Sequence, residues 1–125
     1  MNTRPKPAPA YTHLILECRG CPTDLIDRLP SIRKALRSAA KVCGLHVIQE
    51  GMHRFRPHGV TGYVLLSESH ISIHTWPEHG FAVVDLLSCV RVEREALKTT
   101  FRQLLKPRRV VVRTTKRGAA GAPGR

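Results

Sequence analysis

Residues 67–80 hold more side chains capable of chemistry than any other stretch of this sequence. They include three histidines, several hydroxyl residues, two carboxylates and the only tryptophan. The apolar segments on either side, residues 62–66 and 81–87, have the composition of buried β-strands. Polar groups placed between buried strands cost free energy unless each has a partner. We therefore predict a functional site here, with a solvated hairpin rich in serine and histidine as the alternative.

Three sequence blocks in this region stand at a fixed spacing. They are HGVTG at residues 58–62, SESHISIHTWPE at residues 67–78 and DLLSC at residues 85–89. Together they resemble the signature blocks of the bacterial and archaeal S-adenosylmethionine decarboxylase proenzymes. The similarity runs from about Tyr11 to Thr115 and is strongest from Phe55 to Cys89. The resemblance implies a self-cleaving, pyruvoyl-dependent decarboxylase of spermidine biosynthesis that works as a homodimer or a larger homo-oligomer.

The resemblance implies that the chain cuts its own Glu68–Ser69 bond. Ser69 Oγ would attack the Glu68 carbonyl and form an ester through a tetrahedral intermediate, which needs hydrogen-bond donors for its oxyanion. His74 matches the family histidine that removes the Cα proton of Ser69, a role suited to imidazole. The product is a pyruvoyl group derived from Ser69, which is the expected cofactor. Thr61 replaces the family serine that assists processing, and its β-branched side chain is stiffer.

For the decarboxylation, the resemblance implies a Schiff base between the pyruvoyl carbonyl and the substrate amine, with the carbonyl as electron sink. Cys89 matches the cysteine that returns a proton to carbon. Phe55 matches the aromatic residue that stacks on adenine, and Glu78 matches the carboxylate that binds the ribose hydroxyls. Arg56 departs from the family pattern, which leads us to expect an apolar or small polar residue at this position. A fixed cation beside Phe55 would repel a sulfonium substrate unless it pointed to solvent or held the substrate carboxylate.

Two other interpretations stay open at this point. One is a pyruvoyl-dependent decarboxylase of ornithine or arginine on the same scaffold, and the other is a non-enzymatic, basic nucleic-acid-binding protein. The formal net charge is +12, and an excess of this size raises affinity for polyanions. Aromatic residues make up only 5% of the chain, and no set of stacking aromatics accompanies the charge. We therefore expect a small-molecule substrate, with no nucleic-acid or membrane partner.

Length and composition predict one cytoplasmic domain. The chain has 125 residues, 42% of them hydrophobic, and no apolar run reaches the roughly 18 to 20 residues that span a membrane. The first ten residues contain three prolines and no apolar core of a secretion signal. The four cysteines are therefore expected to be reduced. Cys18 and Cys21 form a lone CxxC pair, which is less than a closed zinc site needs, so we predict no metal.

Hydrophobic periodicity predicts the element order β-α-β-β-β-β-α-β. Strands are expected over residues 11–17, 45–50, 62–66, 71–75, 81–87 and 109–115, and helices over 30–43 and 92–106, with a helical turn at 24–28. This order favours an α+β fold, a two-layer α/β sandwich with two helices on one face of a mainly antiparallel sheet. The uncovered sheet face favours self-association. Residues 1–10 are expected to be a flexible leader, 11–115 the decarboxylase domain and 116–125 a disordered basic tail.

One geometric difficulty accompanies the predicted site. Ser69 and His74 are separated by an odd number of residues, so a regular strand would place them on opposite faces of the sheet. We expect a turn or bulge near residues 68–70 to bring the two side chains together. Backbone strain at that point would favour attack on the peptide bond.

Overall fold

A computed structural model of the chain describes residues 9–118 as one antiparallel sheet with three helices. The six strands have the order β2-β3-β4-β5-β1-β6. Their bounds are β1 Ala10–Arg19, β2 Val47–Arg54, β3 Val60–Leu66, β4 Ser69–Trp76, β5 Phe81–Ser88 and β6 Arg109–Gly118. The helices are α1 Thr23–Ile26, α2 Leu29–Val42 and α3 Arg94–Leu105, and a 3-10 turn covers Pro77–His79. The predicted α+β sandwich is thereby confirmed.

The two longer helices form because their apolar residues recur at helical spacing. Pro30 lies in the first turn of α2, where a missing N–H costs nothing. Gly44 follows α2 with a φ of +70°, a conformation in which glycine ends a helix readily. The two helices pack against each other and against the sheet. Their buried residues are Ile32, Ala35, Leu36, Ala39 and Ala40 in α2, and Leu97, Thr100, Phe101 and Leu105 in α3. Burying one large apolar side chain stabilises the folded state by about 1.5–3 kcal/mol relative to leaving it exposed.

The sheet has one buried face and one open face. Along β4, Ile71, Ile73 and Thr75 are buried on the helix side, whereas His74 and Trp76 are exposed on the other side. The open face keeps apolar side chains in contact with solvent, since Tyr63 and Leu65 are each 40% exposed and Trp76 is 41% exposed. The helices therefore cover only one face of the sheet, as the sequence pattern predicted.

Strand β6 is longer than the sequence predicted. It continues through Lys116 to Gly118, because Ala10 pairs with Gly118 and Thr12 with Lys116 along the whole length of β1. Cross-strand pairing thus outweighs the poor strand propensity of this basic segment. Ala10 lies in β1 and residues 116–118 lie in β6, so these positions belong to the sheet and not to the predicted leader and tail. Residues 1–8 and 119–125 lie outside the described residues, so the rest of the predicted leader and tail stay predictions.

Helices in the described part of the chain are too short or too polar to cross a bilayer.

Candidate active site

The predicted cleavage point lies in a tight turn beside Cys89. Because Leu66 pairs with Ser69, the two residues between them, Ser67 and Glu68, form the turn that joins β3 to β4. The carbonyl oxygen of Glu68 accepts a hydrogen bond from the backbone N–H of Cys89, with an N–O distance of 3.2 Å. This donor points at the oxygen that would become negative if the Glu68 carbonyl were attacked. We name Glu68, Ser69 and Cys89 the cleavage cluster.

The backbone of Ser69 is strained. Its φ is +151°, a value that residues with a Cβ rarely adopt and that costs free energy wherever it persists. The hydroxyl of Ser69 lies 3.4 Å from Nδ1 of His70, which is long for a hydrogen bond but brings an imidazole next to the hydroxyl. The sequence motifs indicated no role for His70. Its position directly after Ser69 could have indicated that its imidazole lies close to the Ser69 hydroxyl.

Four other predicted residues line a separate cavity of about 400 Å³, namely Phe55, Thr61, His74 and Glu78. We name them the pocket cluster. The volume falls within the range of roughly 300–1,000 Å³ that small-molecule sites have. Thr61 Oγ1 lies 3.0 Å from His74 Nδ1, because Thr61 and His74 are cross-strand partners on the open face. The hydroxyl that replaces the family serine therefore contacts the predicted base.

Aromatic rings make up much of the cavity wall. Phe55 is 46% exposed and Trp76 is 41% exposed, and both line the cavity. The Trp76 ring centre lies 5.7 Å from that of Phe81 and 6.4 Å from that of His74. Exposed, supported aromatic faces are suited to stacking on a planar base. Trp76 was not among the predicted site residues, although a lone tryptophan two residues before Glu78 was a usable signal.

The loop that carries Phe55 is tied to the helical side of the molecule by Asp27. Gly59 N–H donates to Asp27 Oδ1 at 2.8 Å, and Arg54 Nη2 donates to Asp27 Oδ2 at 2.9 Å. The Gly59 hydrogen bond and then Arg54 lower the pKa of the Asp27 carboxyl. Phe55 N–H also donates to the Gly59 carbonyl at 2.7 Å, which closes the loop. These contacts position the Phe55 ring, and the spacing of Asp27 in the sequence gave no sign of them.

Glu78 and Arg56 differ in their relation to the cavity. The Glu78 carboxylate lies 3.2 Å from Nε2 of His58, so a protonated His58 would compete with a ligand hydroxyl for this acceptor. Arg56 is exposed to solvent and lies outside the cavity lining. The concern that a cation at position 56 would repel a sulfonium therefore does not apply to this geometry.

The cleavage cluster and the pocket cluster lie far apart within one chain. Ser69 and His74 are five residues apart on β4, whose pairing with β3 and β5 is continuous over that span. At about 3.3 Å per residue their Cα atoms are about 16 Å apart. The turn precedes Ser69 instead of lying between the two residues, so it does not shorten this distance. One chain therefore brings Phe55, Thr61, His74 and Glu78 together, and it does not bring them to Ser69.

Cys89 differs from the other cysteines in its accessibility. Burial raises the pKa of the Cys18 thiol to about 12 and that of the Cys21 and Cys43 thiols to about 11. Cys89, a member of the cleavage cluster, is exposed. Within residues 9–118, no three histidine, cysteine or acidic side chains come close enough to hold a metal ion. Cys89 is thus the thiol best placed to exchange a proton with a bound molecule.

Comparisons with known proteins show which family this chain resembles. The family model described as S-adenosylmethionine decarboxylase matches residues 12–118. An S-adenosylmethionine decarboxylase proenzyme of Methanococcus maripaludis is 46% identical over 107 residues, which is 85% of this chain and 88% of that protein. One from Persephonella marina is 41% identical over 85% of this chain and 80% of its own. The crystal structure of the adenosylmethionine decarboxylase from Aquifex aeolicus superposes with a TM-score of 0.80 at 36% identity, covering 94% and 98% of the two chains.

Proposed function

The chain belongs to the S-adenosylmethionine decarboxylase family, and we propose that it cleaves its own Glu68–Ser69 bond and then decarboxylates S-adenosylmethionine. The product would serve spermidine biosynthesis in the cytoplasm. The observation that carries this proposal is the hydrogen bond that the Cys89 N–H donates to the Glu68 carbonyl, next to the strained backbone of Ser69. A peptide bond with a polarised carbonyl and a strained neighbouring serine is suited to attack by that serine.

Self-cleavage proceeds through an ester. Ser69 Oγ forms a bond to the Glu68 carbonyl carbon, its proton passes to a base, and the Cys89 N–H stabilises the oxyanion. The C–N bond then breaks, and the nitrogen of Ser69 takes up a proton. Removal of the Ser69 Cα proton, which we assign to His74, expels the Glu68 carboxylate from Cβ. The remaining dehydroalanine reacts with water, releases ammonia and leaves a pyruvoyl group.

The residues around Ser69 fit a pyruvoyl group at this position. When present, that group supplies a carbonyl that takes up the electrons released with carbon dioxide. Cys89 would donate the proton to carbon, since its thiol is open to solvent in this chain. Because Cys89 directly follows Ser88, the cross-strand partner of Ser69, the donor stays next to the reacting position after cleavage.

The cavity lined by the pocket cluster and Trp76 supports a nucleoside-bearing substrate. Phe55 and Trp76 offer aromatic faces for adenine, and Glu78 offers carboxylate oxygens that accept hydrogen bonds from ribose hydroxyls. Ornithine and arginine have neither a nucleobase nor a ribose, so they would leave the aromatic faces and the Glu78 carboxylate unused. For this reason we propose S-adenosylmethionine over the two amino acids.

A second copy of the chain would complete the active site. The cleavage cluster needs the base His74, yet His74 lies about 16 Å along the strand from Ser69. The open sheet face carries half-exposed Tyr63, Leu65 and Trp76, and apolar side chains of this kind are typical of surfaces that bind a partner. We propose a homodimer in which Ser69 and Cys89 of one protomer meet the pocket cluster of the other.

Two measurements test the proposal. Intact-mass spectrometry should find residues 1–68 and residues 69–125 as separate chains, with the second blocked at its N-terminus. Ser69→Ala should give one uncut chain. Carbon dioxide release should then be followed with S-adenosylmethionine, ornithine and arginine. An uncut wild-type chain after long incubation would rule out self-cleavage, whereas turnover of ornithine or arginine alone would overturn only the substrate.

A further inference from the structure

The turn that holds the cleavage point has no intrinsic preference for its own conformation. Two-residue hairpin turns favour types in which the first central residue has a positive φ, usually with glycine or asparagine. In the part of the chain that the structure describes, Ser69 and Lys106 are the only non-glycine residues with positive φ. Ser67 and Glu68 therefore adopt neither favoured type, and the strain falls on Ser69. Such a turn persists only where contacts from outside hold it.

His46, in the connection between α2 and β2, supplies these contacts. Its carbonyl oxygen accepts a hydrogen bond from Ser67 N–H at 2.9 Å. Its own N–H donates to Glu68 Oε1 at 3.1 Å, and its Nδ1 lies 2.8 Å from Glu68 Oε2. The imidazole contact and then the backbone contact lower the pKa of the Glu68 carboxyl. Glu68 is therefore an ionised acceptor for both donors at neutral pH.

Glu68 is thus held at two points, its carboxylate by His46 and its carbonyl oxygen by Cys89. We infer that His46 is a positioning residue for self-cleavage, which fixes the Glu68 carbonyl between Ser69 and the Cys89 N–H. The inference rests on the proposed self-cleavage. It adds His46, a residue that does not touch the bond being cut. Without the His46 imidazole, the turn can relax the strain at Ser69 by rotating the carbonyl away from both groups.

The size of the effect follows from the geometry of attack. Reacting atoms must approach to about 3–3.5 Å, and a displacement of about 1 Å can cost up to a hundredfold in rate. The backbone N–H of His46 remains in any substitution and keeps one of the two carboxylate contacts. We therefore expect His46→Ala to slow cleavage by about tenfold, which is less than the roughly hundredfold loss expected if the alignment were lost completely.

The experiment follows cleavage of freshly synthesised full-length chain over time by intact mass. His46→Ala is compared with His46→Asn, whose side-chain amide can donate from a place close to that of imidazole Nδ1. Lys41→Ala is the matched control, because Lys41 is an exposed residue of the same region. We expect slow cleavage for His46→Ala, cleavage within about threefold of wild type for His46→Asn, and wild-type cleavage for Lys41→Ala.

Hydroxylamine locates the step that His46 affects. If His46 aligns the carbonyl before the ester forms, hydroxylamine has no accumulated ester to cut in His46→Ala. In His74→Ala the Cα proton of Ser69 is not removed, so the ester should accumulate. Hydroxylamine should then cut this ester after residue 68. Thermal unfolding of Ser69→Ala with and without His46→Ala shows whether the turn variant is folded at the assay temperature.

Three results would overturn the inference. One is wild-type cleavage of His46→Ala, and another is His46→Asn as slow as His46→Ala. The third is rapid hydroxylamine cutting of His46→Ala, which would place its defect after the ester. If the wild-type chain is never cut between Glu68 and Ser69, the proposed function itself fails, and that result is distinct from the other three.

Discussion

A mixture of two inactive variants tests whether the active site is shared between chains. Ser69→Ala lacks the nucleophile, and His74→Ala lacks the proposed base, so each should remain uncut on its own. The two residues are about 16 Å apart on a regular strand, which is too far for direct proton transfer within one chain. In a mixed dimer, however, the intact Ser69 of one chain would face the intact His74 of the other.

The expected yield follows from random pairing. With equal amounts of the two variants, roughly half of the chains that carry Ser69 pair with a partner that carries His74, given a symmetric dimer. These chains should be cut, and the rest should stay whole. The variants are co-expressed with different affinity tags and purified in tandem, so that only mixed dimers remain. In that fraction nearly every Ser69-bearing chain should be cleaved, as read by intact mass.

Two outcomes would refute the shared site. If the mixed dimer stays uncut while wild type cleaves under the same conditions, His74 acts within its own chain or not at all. If the wild-type protein is a monomer in light scattering and still cleaves, no partner is needed. Co-expression of Ser69→Ala with Lys41→Ala is the positive control, because the second chain keeps both groups.

The remaining predictions concern the donor, the pocket and the loop. Cys89→Ala should still be cut at least in part, but its turnover should fall by about 10²–10⁴, the usual contribution of a positioned proton donor; unchanged turnover would make Cys89 only a structural residue. Phe55→Ala should raise KM for S-adenosylmethionine roughly five- to a hundredfold, since losing a stacking platform costs ~1–3 kcal/mol. Val42→Ala, an exposed apolar position outside the cavity, should leave KM unchanged. Asp27, whose pKa is lowered in the folded chain, should stabilise the fold above pH ~4 and lose that contribution as the pH falls through its folded-state pKa. The difference in urea midpoint between wild type and Asp27→Asn should therefore shrink from pH 6 towards pH 3, and a constant difference would contradict this.

The fold was predictable because its signals are local. The alternation along β4 and the helical spacing of Ile32, Leu36 and Ala39 each follow from neighbouring residues. The pocket residues Phe55, Thr61, His74 and Glu78 were also found from the sequence, through the spacing of the family blocks. The structure brings these four side chains to one cavity, and their roles stay predictions.

The parts that were not predicted depend on long-range contacts or on backbone geometry. His46 meets Glu68, and Asp27 meets Gly59, across turns whose shapes no local pattern specifies. The expected approach of Ser69 to His74 fails within one chain, because the turn ends before Ser69 and β4 is regular beyond it. Sequence spacing identifies which residues belong to one site, but it does not tell whether one chain or two chains assemble it.

The strand order has a consequence for the cut protein. Cleavage after Glu68 would leave β1, β2 and β3 in one fragment and β4, β5 and β6 in the other. In the sheet, β1 lies between β5 and β6, so the first fragment is inserted into the second as well as paired along β3 and β4. Neither fragment could leave without breaking the pairing on both sides of β1. The two pieces would therefore stay together on dilution, and once unfolded they would have to find each other again, so refolding would depend on protein concentration.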